Sequence, residues 1–131
     1  ASGLDFPLYV CEKEGEKLYV IPVVGSGLWG PIWGYVALKS DMVTIYGVKF
    51  DHKTETPGLG AEIKEDFFSV KFNDKTLSEA APYFSVLKGG SATDAHSVDG
   101  ITGGTITSKG VEEMVNRTLD IYKKFFESEI K

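Results

Sequence analysis

Cysteine is almost absent: Cys11 is the only one in 131 residues. An intramolecular disulfide is therefore excluded, and so is a thiolate metal centre. Cys11 lies in an apolar-looking segment, which predicts an inert, partly buried thiol. Histidine is nearly as scarce. His52 and His96 stand far apart with no carboxylate or cysteine constellation, so they read as surface residues and no metal is expected. Positive charge is in deficit, with 14 Lys and Arg against 19 Asp and Glu and a formal net charge of −5. Phosphate-backbone binding needs a basic face, so a nucleic-acid partner is not expected. No apolar run reaches bilayer length, and no signal-peptide pattern opens the chain. Repeats and low-complexity tracts are missing, as are a Walker loop, a dinucleotide fingerprint, a nucleophile elbow and a Ser-His-Asp spacing.

What is present is an ordinary globular composition, 42% hydrophobic and 25% charged. The length suits one domain over residues 1–131 with a real core. Lys17 to Val24 reads as a β-rich run, with Pro22 marking an edge or a strand end. Tyr35 to Leu38 and Met42 to Phe50 read as two strands joined by a turn at Lys39-Ser40-Asp41. Thr56 to Gly60 is a loop. Ala61 to Phe72 reads as a helix through Ile63, Phe67 and Val70, with a strand ending over Phe68 to Phe72 as the alternative. Tyr83 to Leu87 is a short strand ended by Gly89-Gly90, and Ser91 to Gly104 is loop.

The clearest element comes last. Val111, Val115, Leu119, Tyr122 and Phe126 form the apolar stripe of an amphipathic helix, capped by Thr107 or Ser108. Glu112 and Glu113 suit its first turns, and Lys123 and Lys124 its end. The fold class expected is α+β, antiparallel strands packed with helices, with the C-terminal amphipathic helix following a glycine-rich loop.

That loop carries the chemistry. Asp99-Gly100-Ile101-Thr102-Gly103-Gly104-Thr105-Ile106-Thr107-Ser108 runs straight into the helix. Gly103 and Gly104 let a bulky group approach the backbone, the hydroxyls can carry or cradle a phosphoester, and a helix N-terminus suits a phosphate. Local physics also allows a bland reading, a flexible loop ending in a helix cap.

Thr102-Gly103-Gly104-Thr105, preceded by Asp99-Gly100, resembles the flavinylation motif Asp-Gly-x-Ser/Thr-Gly-Ala-Thr of FMN-binding domains. In that family the final threonine is joined through a phosphoester to FMN by a flavin transferase that uses FAD, which maps attachment onto Thr105, with Thr107 as the rival. Gly104 departs from the usual alanine toward a smaller residue. Gly27 to Leu38, with its Gly-Leu-Trp stretch, resembles the C subunit of the Na⁺-translocating NADH:quinone reductase. Glu55-Thr56-Pro57-Gly58-Leu59-Gly60 resembles a loop shared by that protein and the G subunit of the Rnf electron-transport complex.

The resemblance implies a flavoprotein with FMN as cofactor. The site would comprise Thr105 as covalent attachment, with Thr102, Gly103, Gly104, Thr107, Leu28, Trp29, Glu55, Thr56 and Leu59 around the flavin. Leu28, Trp29 and Leu59 would wall the ring, stacking on Trp29 adding about 1 kcal/mol beyond burial. Glu55 and Thr56 would meet the polar edge or the ribityl hydroxyls, although Glu55 alone reads as a solvated loop acid. Pro57-Gly58 reads as a type II turn, Trp33 as a core aromatic, and Asp99 as shaping its loop or presenting it to the modifying enzyme. Asn116-Arg117-Thr118 matches a glycosylation pattern by chance in mid-helix.

No catalytic residue is expected beyond the flavin, since no acid–base constellation accompanies the motif. The function implied is electron relay within a membrane-bound, Na⁺-translocating NADH:quinone oxidoreductase. Its partners would be the other subunits and, for maturation, a flavin transferase. The domain would lie on the extracytoplasmic (periplasmic) side of a bacterial inner membrane, anchored by an N-terminal helix missing from this chain. The alternatives are the equivalent flavin subunit of an Rnf-type complex and a flavin-free interaction module of the same fold.

Overall fold

The structure, a computed structural model, describes residues 9–79, 82–87, 92 and 94–129; of 125–129 it describes the backbone alone. Four strands form an antiparallel meander in the order β1 (Tyr9–Lys13), β2 (Glu16–Ser26), β3 (Pro31–Leu38) and β4 (Ile45–His52). Glu14 and Gly15, at φ 55° and 81°, make the two-residue hairpin turn between β1 and β2. Both central positions of such a turn have positive φ, which matches the twist of the strands it joins. Strand β1 lies outside the runs expected from the sequence, since its Tyr9–Lys13 segment has no buried face to impose an alternating pattern.

Strands β2 and β3 carry the alternation that the sequence displays. Ile21, Val23, Ile32, Val36 and Leu38 point into the core. Pro22 pairs with Tyr35 inside β2, yet β1 reaches only as far as Val20 among the described residues, so the proline's missing N–H faces no described neighbour there. Trp33, expected in the core, is exposed on the outer face, because it sits one position out of phase with buried Ile32. Cys11 is exposed on β1 rather than partly buried.

The expected β3–β4 turn is longer than Lys39-Ser40-Asp41, and β4 begins at Ile45 rather than Met42. The Asp41 carboxylate accepts from the N–H groups of Val43 and Thr44, holding that stretch as a loop.

Residues expected as one helix are instead three short pieces: a 3₁₀ turn at Gly60–Lys64, α1 at Asp66–Ser69 and a second 3₁₀ turn at Val70–Phe72. Glu65 is extended (φ −80°, ψ 149°), so the helical phase resets there. The reset buries Phe68 and Phe72 in place of Phe67 and Val70, which are exposed; Ile63 is buried as expected. Phe50, Phe68, Phe72 and Phe84 form an edge-to-face and stacked cluster, with centroids 5.3 Å apart for Phe68–Phe72 and for Phe72–Phe84.

Two three-residue strands, β5 (Ser85–Leu87) and β6 (Ser97–Asp99), pair in parallel beside this core, and β6 lies within the stretch expected to be loop. Gly89 and Gly90, expected to end β5, lie outside the described residues. The long helix α2 (Thr105–Glu129) packs on β2 and β5 through Val111, Met114, Val115, Leu119 and Tyr122. The side chain of Phe126, the last of the expected stripe, lies outside the described residues. Helix α2 starts at Thr105, two residues before the expected cap, which places Thr107 and Ser108 within its first turn. Glu112 and Glu113 fall further along: Glu112 accepts from Val86 N–H, and Glu113 pairs with Arg117.

Candidate functional site

The β2–β3 connection is a tight turn in which Gly27 N–H donates to the Gly30 carbonyl at 2.8 Å. Leu28 and Trp29 donate their N–H groups to Oε1 and Oε2 of Glu55, each at 2.9 Å. The Thr54 hydroxyl donates to the Trp29 carbonyl at 3.1 Å, so the backbone of Trp29 is held on both sides. From α2, the Thr107 hydroxyl donates to Glu55 Oε1. Glu55 is only 4% exposed and Thr107 2%, so the acid is buried rather than solvated.

Burial by itself pushes the Glu55 carboxyl up. The Thr107 hydroxyl and the N–H groups of Trp29, Leu28 and Gly30 outweigh it, and the net effect holds the group below the usual glutamate range. Two glycines make room for it. A Cβ on Gly27 would lie 2.5 Å from Glu55 Oε1, and one on Gly60 would collide with Thr107 Oγ1.

The loops on either side are equally determined. Leu59 N–H donates to the Thr56 carbonyl at 3.0 Å across Pro57 and Gly58, and Gly58 has φ +77°, as a type II turn requires. In the Asp99–Thr105 segment, Gly100 N–H donates to Leu87 O, Ile101 N–H to the buried Ser108 hydroxyl, and Gly104 N–H to Ile101 O. The Asp99 carboxylate accepts from Ala92 N–H at 3.0 Å, a bond to the segment before β6. Ser108 N–H donates to the Gly104 carbonyl. The N–H groups of the turn before it have no acceptor within a helix, which leaves the positive end of α2 at this loop.

These parts enclose an open cleft of about 390 Å³, within the range of small-molecule sites. Leu28, Trp29, Leu59 and Ile106 give it exposed apolar surface, Trp29 being 65% exposed. Glu55, Thr56, Gly103, Gly104, Thr105 and Thr107 complete the predicted set along its lining. Thr102 is the exception. It lines a second cleft of about 360 Å³, beside Val86, Ile101 and Lys109, and Gly103 and Thr105 line both clefts. The two candidate threonines differ sharply: Thr105 is exposed at the start of α2, whereas Thr107 is buried and engaged.

Gly27, Gly60 and Ser108 stand within the motifs, but the sequence alone gives the two glycines no part in the site and Ser108 no more than a capping role. Among the described residues no group of His, Cys, Asp and Glu side chains is placed to hold a metal ion. His52 Nδ1 accepts from Glu55 N–H, and His96 Nδ1 lies 2.6 Å from Thr76 O; both rings are half-buried rather than on the surface.

An open apolar cleft at the N-terminus of a long helix, with an exposed hydroxyl on its rim, defines a binding domain for a flat phosphorylated small molecule. The profile of the FMN-binding domain family matches residues 27–120. The chain belongs to this FMN-binding domain family.

Its relatives narrow the setting. The C subunit of the Na(+)-translocating NADH-quinone reductase of Pseudomonas aeruginosa is 38% identical over 116 residues, covering 83% of this chain and 44% of that protein. Its counterpart of the same name in Haemophilus ducreyi is 40% identical over 106 residues, 79% of this chain and 41% of that one. The crystal structure of the corresponding C subunit from Parabacteroides distasonis superposes with a TM-score of 0.85 at 46% identity, over 92% of this chain and 62% of that one. Shewanella oneidensis NqrC gives 0.72 at 33% identity, over 81% and 51%. The chain spans less than half the length of the Pseudomonas and Haemophilus proteins.

Proposed function

We propose that this domain carries FMN esterified to Thr105 and relays electrons within a membrane-bound, Na⁺-translocating NADH:quinone reductase. The observation that carries the reading is the position of Thr105: exposed, first in α2, and on the rim of an apolar cleft. The residues fit the group. Trp29, Leu28 and Leu59 offer uncovered apolar surface for a flat ring, and the helix N-terminus and the Thr102 hydroxyl suit a phosphate. The backbone at Gly103 adopts φ +79°, and a Cβ there would come 2.7 Å from Leu59 Cδ2, so this cradle is open only to glycine.

When bound, FMN supplies the reversible electron uptake; the protein's part is tethering, orientation and local electrostatics. Attachment would replace the Thr105 Oγ–H bond with an Oγ–P bond while the pyrophosphate P–O bond of FAD breaks, AMP leaving and the hydroxyl proton passing to a base of the flavin transferase or to solvent. Glu55 has both carboxylate oxygens engaged by protein donors, so its contribution is to hold the walls, while the Thr56 side chain and the backbone of Gly103 are left to meet the cofactor. The names of the relatives support membership of the quinone-reductase complex, with its other subunits as partners. Among the described residues no helix is long and apolar enough to cross a membrane. In this proposal a segment preceding the domain anchors it, on the extracytoplasmic side of the inner membrane.

Intact-protein mass after co-expression with a flavin transferase tests the reading, with peptide mapping of wild type, Thr105→Ala and Thr107→Ala. A gain of one FMN less water that disappears only in Thr105→Ala is the expected result. No gain in wild type, with the transferase active on a control, defeats it.

A further inference from the structure

The Glu55 carboxylate touches both sides of the cleft lined by Trp29 and Thr105. Its oxygens accept from Leu28 and Trp29 on the β2–β3 turn and from Thr107 on α2. It stands on a third segment, the Thr54-Glu55-Thr56 stretch after β4, whose Thr54 hydroxyl also binds Trp29 O. Three chain segments, distant in sequence, therefore converge on one buried side chain. The carboxylate also occupies space that two glycines leave empty. A Cβ on Gly27 would stand 2.5 Å from Oε1, and one on Gly60 would stand 3.1 Å from it while colliding with the Thr107 Oγ1 that bonds to it.

We infer that Glu55 is a positioning residue that fixes the Trp29 wall relative to the N-terminus of α2, so that the cleft is set before any cofactor arrives. This rests on the flavin reading for what the cleft holds, but the geometry concerns this chain alone. A charged acceptor serves better than a neutral one here because hydrogen bonds to an ionised group are shorter and stronger, and the positive end of α2 lies beside it. The Trp29 side chain is largely exposed, and what anchors this wall is its backbone, held at N–H by Glu55 and at the carbonyl by Thr54. Preorganisation of this kind lowers the ordering cost that a cofactor would otherwise meet on binding.

The two oxygens are not equivalent. Oε1 takes both Leu28 N–H and the Thr107 hydroxyl, whereas Oε2 takes Trp29 N–H. In Glu55→Gln the remaining oxygen is best used where two donors converge, which turns the amide NH₂ against Trp29 N–H. The substitution keeps the side-chain volume, so the pattern of loss is diagnostic: Trp29 is released and Leu28 is retained.

The test is residue-resolved amide hydrogen exchange on the flavin-free chain, for wild type, Glu55→Gln, Thr107→Val and Thr107→Ser. Expected in Glu55→Gln is a roughly ten- to hundredfold loss of protection at Trp29, the factor for losing a charge-assisted hydrogen bond, with β3 amides such as Val36 unchanged. Thr107→Val loosens Leu28, and Thr107→Ser restores it. The same variants are then given to a flavin transferase, and Glu55→Gln is expected to slow attachment without moving its site. Unchanged exchange at Leu28 and Trp29 overturns the inference, as does a uniform loss over the whole chain or an unaltered attachment rate in a loosened variant. If wild type takes no flavin at all, the flavin reading falls, and the exchange pattern still decides whether Glu55 positions the cleft.

Discussion

Thr107 and Glu55, 52 positions apart in the chain, meet in a buried hydrogen bond between their side chains, while Thr105 keeps its own side chain in solvent. The difference of two residues on a helix start separates a hydroxyl committed to the fold from one open to chemistry.

Thr107→Val should therefore destabilise the chain by about 1–2 kcal/mol, since it removes one donor from a buried carboxylate and leaves part of that charge uncompensated. Thr105→Ala, at an exposed site, should change stability by less than about 0.5 kcal/mol. Denaturant unfolding of the two flavin-free variants checks the contrast; equal losses would contradict the assignment of their roles.

Acid should weaken the site through Glu55. Its folded-state pKa lies below the ordinary glutamate value of 4.5, so the unfolded chain takes up a proton first as pH falls. The group thus contributes stability above the unfolded value and loses it as pH drops through the folded one. Asp41 and Glu113 are also depressed and follow the same sign, so wild type must be compared with Glu55→Gln. The stability gap between them should narrow on acidification from about pH 6 and stay flat between about pH 6 and 8, measured by denaturant midpoint.

The two tryptophans should behave differently. Trp29→Ala should leave the melting temperature nearly unchanged, because its side chain is largely exposed, yet raise the fluorescence of an attached flavin by removing a stacking quencher. Trp33→Ala, on the outer face of the sheet and outside the cleft lining, should leave that fluorescence as it was. Emission spectra of the two flavinylated variants distinguish them.

Asn116 should prove structural. Its Oδ1 accepts from the N–H groups of Tyr83 and Phe84, and its Nδ2 donates to the carbonyls of Phe84 and Glu112. Helix α2 in this way supplies the pairing partners for the segment leading into β5. Asn116→Ala should cost about 2 kcal/mol or more and loosen amide exchange at Phe84. The same bonds leave the amide unavailable to a glycan.

Much of this is legible along the chain, because the signals are long or local. The stripe from Val111 to Tyr122 repeats over several turns of α2, and the alternation in β2 and β3 repeats over one packed face. The Pro57-Gly58 turn is written in two adjacent residues. The failures share a different character. Strand β6 is three residues long, and its partner β5 is an equally short strand elsewhere in the chain, so neither has a period of its own. The phase of the Ala61–Phe72 segment turns on a single extended residue, Glu65. Gly27 faces the Glu55 carboxylate and Gly60 the Thr107 hydroxyl, each brought from a distant segment, which no local pattern can announce. Glu55 reads as a solvated loop acid for the same reason.

The open shape of the cleft has a consequence for what the domain must provide. Were FMN tethered to the first residue of α2 as proposed, rebinding of the ring would be an intramolecular event, governed by an effective concentration that short linkers set in the millimolar range. Such a cleft needs only weak intrinsic affinity to stay filled, and so it can remain shallow. An open cleft of this kind would leave part of a tethered ring accessible to a neighbouring protein without the domain having to open.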